Sequence, residues 1–224
     1  MKIILSLCLA VWFTLAHLGA GFGAETIKLP PPAKQGAVSV EEALQNRRSN
    51  RRFATRSLDL AQVSQLLWAA DGINHPQGKK TAPAAKAAYA IDLYLVAGER
   101  GVTNLTPGIY RYLAPEQALE PVAKGEFRKA VAQACNSQAW IAEAPAIVVI
   151  TGDYARGAVK NGDKAQMYTH MESGFVAQNL FLQTGALGLG AGIAGGFNPQ
   201  GLAQAVKLPP NDVPLLVMPV GYKE

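Results

Sequence analysis

The sequence predicts one α+β domain: a mixed sheet flanked by helices, with a long helix at its centre. Three observations predict it. Segments of strand period and of helix period both recur along the chain, Ala146-Ile147-Val148-Val149-Ile150 is a short apolar run of buried-strand type, and a long helical pattern from about Met167 to Thr184 has apolar residues on every side. With 224 residues, 49% apolar and only 17% charged, the chain can bury one core without help from disulfides or metals.

Residues 1–24 read as a secretory signal. Lys2 supplies the positive start, Ile3 to Leu18 is almost wholly apolar, and Gly19 to Ala24 is rich in small residues. The apolar run is shorter than the roughly 20 residues that span a bilayer, so export to the periplasm or beyond is expected rather than a membrane anchor. Residues 25–37 contain Pro30-Pro31-Pro32 and form an extended linker or wrapping arm, because proline fixes φ and withholds an amide donor. The folded domain is expected over 38–224.

Ser39 followed by Glu42 is a capping box that opens a first helix over Val40, Ala43 and Leu44. Asp59 with Gln62 opens a second, whose stripe of Leu60, Val63, Leu66, Leu67 and Ala70 stops at Asp71-Gly72. Ile91, Leu93 and Leu95 alternate through a strand, and Gly108 to Tyr112 forms another. After the long helix, Asn198-Pro199 reads as N-cap and first residue of a short helix ending near Val206, and Val213 to Val220 closes the chain as a strand interrupted by prolines.

Several chemistries are excluded. Cys8 falls in the leader, so Cys135 alone remains and neither an internal disulfide nor a cysteine zinc site is available. The formal charge of +5 becomes +4 without Lys2, and its dispersed Lys and Arg accompany no nucleic-acid motif. His75 and His170 lack partners at metal spacing, and no nucleophile elbow is present. Gly190-Ala191-Gly192-Ile193-Ala194-Gly195 matches the dinucleotide-binding string, but a helix precedes it where a strand is required, so it reads as a helix stop and tight chain crossing. Glu172 reads as a contact to a helix N-terminus or a neighbouring subunit rather than as a base.

Arg47, Arg48, Arg51 and Arg52 crowd into six positions with Ser49 among them. Taken alone, such a cluster is more often a solvated face than an anion site. Downstream come Thr81-Ala82-Pro83-Ala84-Ala85-Lys86-Ala87-Ala88-Tyr89 before a strand, then Glu172-Ser173-Gly174-Phe175-Val176-Ala177-Gln178-Asn179-Leu180, then Gly185-Ala186-Leu187-Gly188-Leu189-Gly190, and finally Pro219-Val220-Gly221-Tyr222. With the arginine segment, this succession resembles the FMN-dependent nitroreductase family, most closely its SagB-type dehydrogenase branch, over roughly Val38 to Tyr222.

The resemblance implies an FMN-dependent oxidoreductase that is a homodimer, with FMN at the subunit interface and a small organic molecule as substrate. Arg47, Arg48, Ser49 and Arg51 inherit the ribityl and phosphate contacts. Pro83, Ala84 and Lys86 map onto the loop that lies against the flavin ring, and the backbone amides of Ser173 and Gly174 onto its N5 and O4. Where the branch has Ser and Gly, this chain has Ala84 and Lys86, which leaves a non-catalytic flavin- or ligand-binding protein as the alternative. Many family members also carry a basic residue after the final Gly-Tyr, at the phosphate; this chain stops at Lys223-Glu224, so phosphate neutralisation is expected to rest more heavily on the arginines. NAD(P)H is the usual reductant of cytosolic relatives. An exported enzyme has no such pool, so a redox protein or the substrate itself is the expected donor.

Overall fold

Ser39 and Asp59 start the first two helices as their sequence motifs require. In the computed structural model, which describes residues 25–224, the Ser39 hydroxyl accepts from the Glu42 amide at 3.1 Å. Asp59 and Gln62 complete the reciprocal box: the Gln62 amide donates to the Asp59 carboxylate at 2.7 Å and the Asp59 amide to the Gln62 side chain at 3.0 Å. The expected leader lies outside the described residues.

Among those residues, seven strands form one sheet: β1 (Ile27–Lys28), β2 (Ile91–Ala97), β3 (Gly108–Leu113), β4 (Ala118–Lys124), β5 (Ala146–Asp153), β6 (Leu189–Ala191) and β7 (Asp212–Tyr222). Their spatial order is β1-β4-β3-β2-β5-β7-β6. The sheet expected to be mixed is antiparallel in every ladder, and parallel pairing is confined to isolated bridges such as Ser49 to Ala191. The helices are α1 (Val40–Asn46), α2 (Leu60–Asp71), α3 (Arg128–Ala134), α4 (Ala139–Glu143), α5 (Tyr154–Asn161), α6 (Ala165–Ala186) and α7 (Pro199–Val206).

Strand period divides the core in two. Leu93, Leu95, Val148 and Ile150 face α2 and α6, whereas Tyr94, Val96, Ile147 and Val149 face α3, α4 and α7. The two central strands are therefore apolar at nearly every position. The proline-rich stretch lies as an arm along α2: the Ala33 amide donates to Gln65 at 2.8 Å, and the Lys34 ammonium sits 4.0 Å above the Trp68 ring. No helix among the described residues is long and apolar enough to cross a membrane.

The glycine string is a close crossing of chains, not a nucleotide turn. A Cβ at Gly192 would lie 2.4 Å from the Trp140 ring and 2.7 Å from the Asn50 carbonyl oxygen. Gly192→Ala is expected to lower stability by about 1–3 kcal/mol, because the Asn50 backbone cannot yield. A urea midpoint that falls without a change in slope is the measurement that checks it.

Candidate functional site

The arginine segment leaves α1 and is held between two strand ends. Arg47 terminates the helix, the Asn50 amide donates to the Ala191 carbonyl of β6 at 2.7 Å, and the Ala54 amide donates to the Tyr222 carbonyl of β7 at 3.0 Å. Phe53 bridges to Lys223. This clamp makes a cleft of about 210 Å³ whose lining includes Arg47, Arg48, Ser49, Phe181, Gly185 and Lys223. Its lining residues include three cations and no carboxylate.

Each side chain has its own support. The Arg47 guanidinium carbon stands 5.2 Å above the Phe181 ring, so an aromatic face orients it. Arg48 donates to the carbonyls of Gln45 and Arg47 at 3.0 and 2.8 Å, which satisfies oxygens left open at the end of α1. Gly185, in the last turn of α6, has nothing within 4 Å of where a Cβ would be; its backbone is open to close approach by a ligand. Arg51 is not brought into the cleft lining, and its guanidinium lies 5.6 Å from the Trp140 ring.

Lys223 is the residue that sequence reasoning missed. It follows Gly221-Tyr222 directly, and the bridge to Phe53 carries it to the arginines. The signal was present as a basic residue after the final Gly-Tyr. The expectation gave the arginines the larger share of a phosphate; the cleft lining places Lys223 beside them.

The second group lies elsewhere. Ala84 precedes a single 3-10 turn, Ala85–Ala87, in which Lys86 has φ 51°. Glycine adopts that left-handed backbone most readily, and here a lysine adopts it. Its ammonium does not hang free: it donates to the Lys160 carbonyl at 2.9 Å, and Lys160 returns a bond to the Ala87 carbonyl at 2.6 Å. The Lys86 charge thus rests at the C-terminal end of α5, where a helix dipole favours a cation. Pro83 is exposed and Ala84 half-buried.

Ser173 and Gly174 occupy the middle of α6. Amides there are committed to carbonyls one turn back, so they are not free donors to a ring. The Ser173 hydroxyl donates to the His170 carbonyl at 2.7 Å, and His170 pairs through Nε2 with the Tyr154 hydroxyl at 2.7 Å. Gly174 is exposed with open space at its Cβ position, beside exposed Met171 and Phe175. Glu172, expected at a helix N-terminus or another subunit, points instead into its own chain and accepts from the Ala90 amide at 3.4 Å. Among the described residues no cluster is placed to hold a metal ion.

The two groups lie toward opposite ends of α6. The Lys86 turn is bonded to Lys160 and Asn161, just ahead of Ala165, while the arginine cleft is lined by Phe181, Thr184 and Gly185. At 1.5 Å per residue, Ala165 to Thr184 covers about 28 Å.

A model of the nitroreductase family matches residues 44–222. A candidate nitroreductase of Methanocaldococcus jannaschii is 34% identical over 186 residues, covering 83% of this chain and 92% of that protein. The solved structure of a candidate nitroreductase from Ralstonia eutropha JMP134 superposes with a TM-score of 0.78 at 27% identity, over 91% of this chain and 92% of that one. The NADPH:FMN oxidoreductase of Vibrio harveyi, solved with NAD+, shares the fold with a TM-score of 0.60 at 21% identity, over 83% of this chain and 69% of that one. The chain belongs to the nitroreductase family, whose members are generally FMN-dependent oxidoreductases.

Proposed function

We propose that this protein is an exported, homodimeric FMN-dependent oxidoreductase of the SagB-type branch, exchanging hydride with a small organic substrate in a ping-pong cycle. The observation that carries the reading is the cleft where Arg47, Arg48, Ser49 and Lys223 converge with no opposing carboxylate. A phosphate monoester fits that donor set: guanidinium groups offer paired N–H donors, and the hydroxyl and ammonium offer single ones. When bound, FMN supplies the hydride chemistry, and the protein supplies grip, orientation and electrostatics.

The separation of the two groups along α6 supports the dimer. The Lys86 turn is bonded to α5 ahead of α6, while the arginine cleft is lined by the last turns of α6, so a second copy running the other way would bring its loop to the first copy's cleft. The exposed stripe of Met167, Met171, Gly174 and Phe175 is the surface such a copy would cover. Export rests on the apolar leader, and it favours a redox protein or the substrate itself over NAD(P)H as donor. Robust NADPH-driven reduction of a nitroaromatic would count against that donor assignment.

The mature protein is expected to purify yellow, to bleach with dithionite and to recover in air. A colourless protein that takes up no added FMN would overturn the reading. One that binds FMN yet transfers no electrons to any quinone, nitroaromatic or protein acceptor would leave only the non-catalytic alternative.

A further inference from the structure

The segment from Lys80 to Ala90, which carries Pro83, Ala84 and Lys86, holds three non-glycine residues with left-handed backbone: Lys86 at φ 51°, Ala87 at φ 50° and Tyr89 at φ 47°. Such conformations persist only where the surroundings hold them. Three fastenings do so. Lys80 pairs with Asp71 at the end of α2, the turn exchanges bonds with Lys160 of α5, and the Ala90 amide donates to Glu172 of α6.

The first and last fastenings belong to one buried group. Asp71 and Glu172 are 2% and 3% exposed, and each has one carboxylate oxygen with no hydrogen-bond partner. Lys80 is attracted to both, and the two carboxylates repel. Asp92 of β2 is held by Arg111 of β3 and Arg156 of α5, Arg156 also draws on Glu172, and burial raises the Tyr112 phenol. Lys80 can neutralise only one of the two acids.

We propose that Glu172 is a positioning residue for the Lys80–Ala90 loop, acting with Asp71 and Lys80 as an anchor that holds one shared proton and releases the loop when that proton leaves. Its effect on the cofactor rests on the FMN reading, in which this loop faces the ring. Burial pushes the Asp71 carboxyl up to about 7 against the pull of Lys80, and burial likewise raises Glu172. The sign follows. A carboxyl with a folded pKa above its unfolded value stabilises the closed state at low pH, and that contribution fades as pH rises through about 7.

Hydrogen exchange of peptides spanning Thr81–Ala90 tests the anchor in the full-length protein, with rates expressed as protection factors so that intrinsic base catalysis is removed. In the native protein, protection is expected to fall about tenfold between pH 6 and pH 8, the change one proton titrating near 7 produces. Asp71→Asn and Glu172→Gln keep an acceptor but remove one acid, leaving a balanced charge pair or less; both are expected to hold the loop protected and flat across that range. Glu172→Ala removes the acceptor and should lower protection at both pH values. A flat native profile, or a Glu172→Gln profile that follows the native one, overturns the proposal. FMN affinity, titrated in parallel, is expected to weaken with pH in the native protein and not in Glu172→Gln. Because loop exchange needs no flavin, an intact anchor in a protein that binds no FMN would count against the cofactor reading alone, and a failed anchor in a yellow protein against the anchor alone.

Discussion

A chain carrying Met171→Asp together with Phe175→Asp is expected to elute as a monomer and to lose nearly all of its flavin. Met171 and Phe175 are one helical turn apart on α6, 52% and 47% exposed, and Met167 continues the stripe at 47%. Val40 and Leu44 of the adjoining α1 add exposed apolar surface at 64% and 52%. Large side chains gathered on one face of a buried helix mark a surface that another molecule covers. Two carboxylates per chain, facing their own copies across a twofold interface, would repel at a cost of several kcal/mol, so dissociation should rise at least about a hundredfold. Since both positions are exposed in the single chain, the monomer should still fold. Light scattering with size exclusion reads the mass, and absorbance near the flavin band reads retention. Val122→Asp, at an exposed position on β4 next to the β1 edge of the sheet, serves as the control and should stay dimeric. A double variant that remains a yellow dimer would refute both the interface and the shared site.

Where the chain announces its structure with capping chemistry, the sequence was readable. Asp59 with Gln62 and Asn198 with Pro199 each begin a helix at the expected residue, and α2 ends at Gly72 as expected. The long helix was recognisable from its apolar pattern but not its start: Lys164 makes no side-chain cap, so nothing local marks residue 165 as its beginning. The expected start, about Met167, falls two residues inside the observed one, and the expectation for the Ser173 and Gly174 amides came from the family resemblance, not from the helix pattern.

Other features were hidden by short range or by proline. α3 and α4 are seven and five residues long, and neither has a capping side chain. Their existence depends on covering the second face of β2 and β5, which is tertiary information. β4 contains Pro121, which normally argues against a strand; here it lies opposite Tyr110, next to a register shift that tolerates the missing amide. The arginine cluster was ambiguous by composition for a physical reason. What separates a solvated face from an anion site is whether the charges converge, and convergence is set by β6 and β7 gripping residues 50 to 54 from distant parts of the chain.

Arg47→Ala should weaken FMN binding by about 1.5–3 kcal/mol, the range for a charge-assisted hydrogen bond, or roughly tenfold to somewhat over a hundredfold. The upper part of that range is favoured because the Phe181 ring already orients the guanidinium, so little side-chain freedom is lost on binding. Lys223→Ala should cost less, about tenfold at most, since Lys223 is exposed and its ammonium is screened by solvent. Both side chains line one cleft and would serve one anion. Their combined loss should therefore depart from the sum of the separate losses, as expected for groups that share a partner. Salt provides an independent check, because adding it should weaken the native complex more than the double variant. Arg51 supplies the decisive comparison. It belongs to the same sequence motif but lies over Trp140 and not in the cleft lining, so Arg51→Ala should cost clearly less than Arg47→Ala when FMN is titrated into the apoprotein by fluorescence quenching. Equal losses at the two positions would mean that the guanidinium of Arg51 swings into the cleft when the phosphate arrives, and the assignment of the grip to Arg47, Arg48, Ser49 and Lys223 would fail.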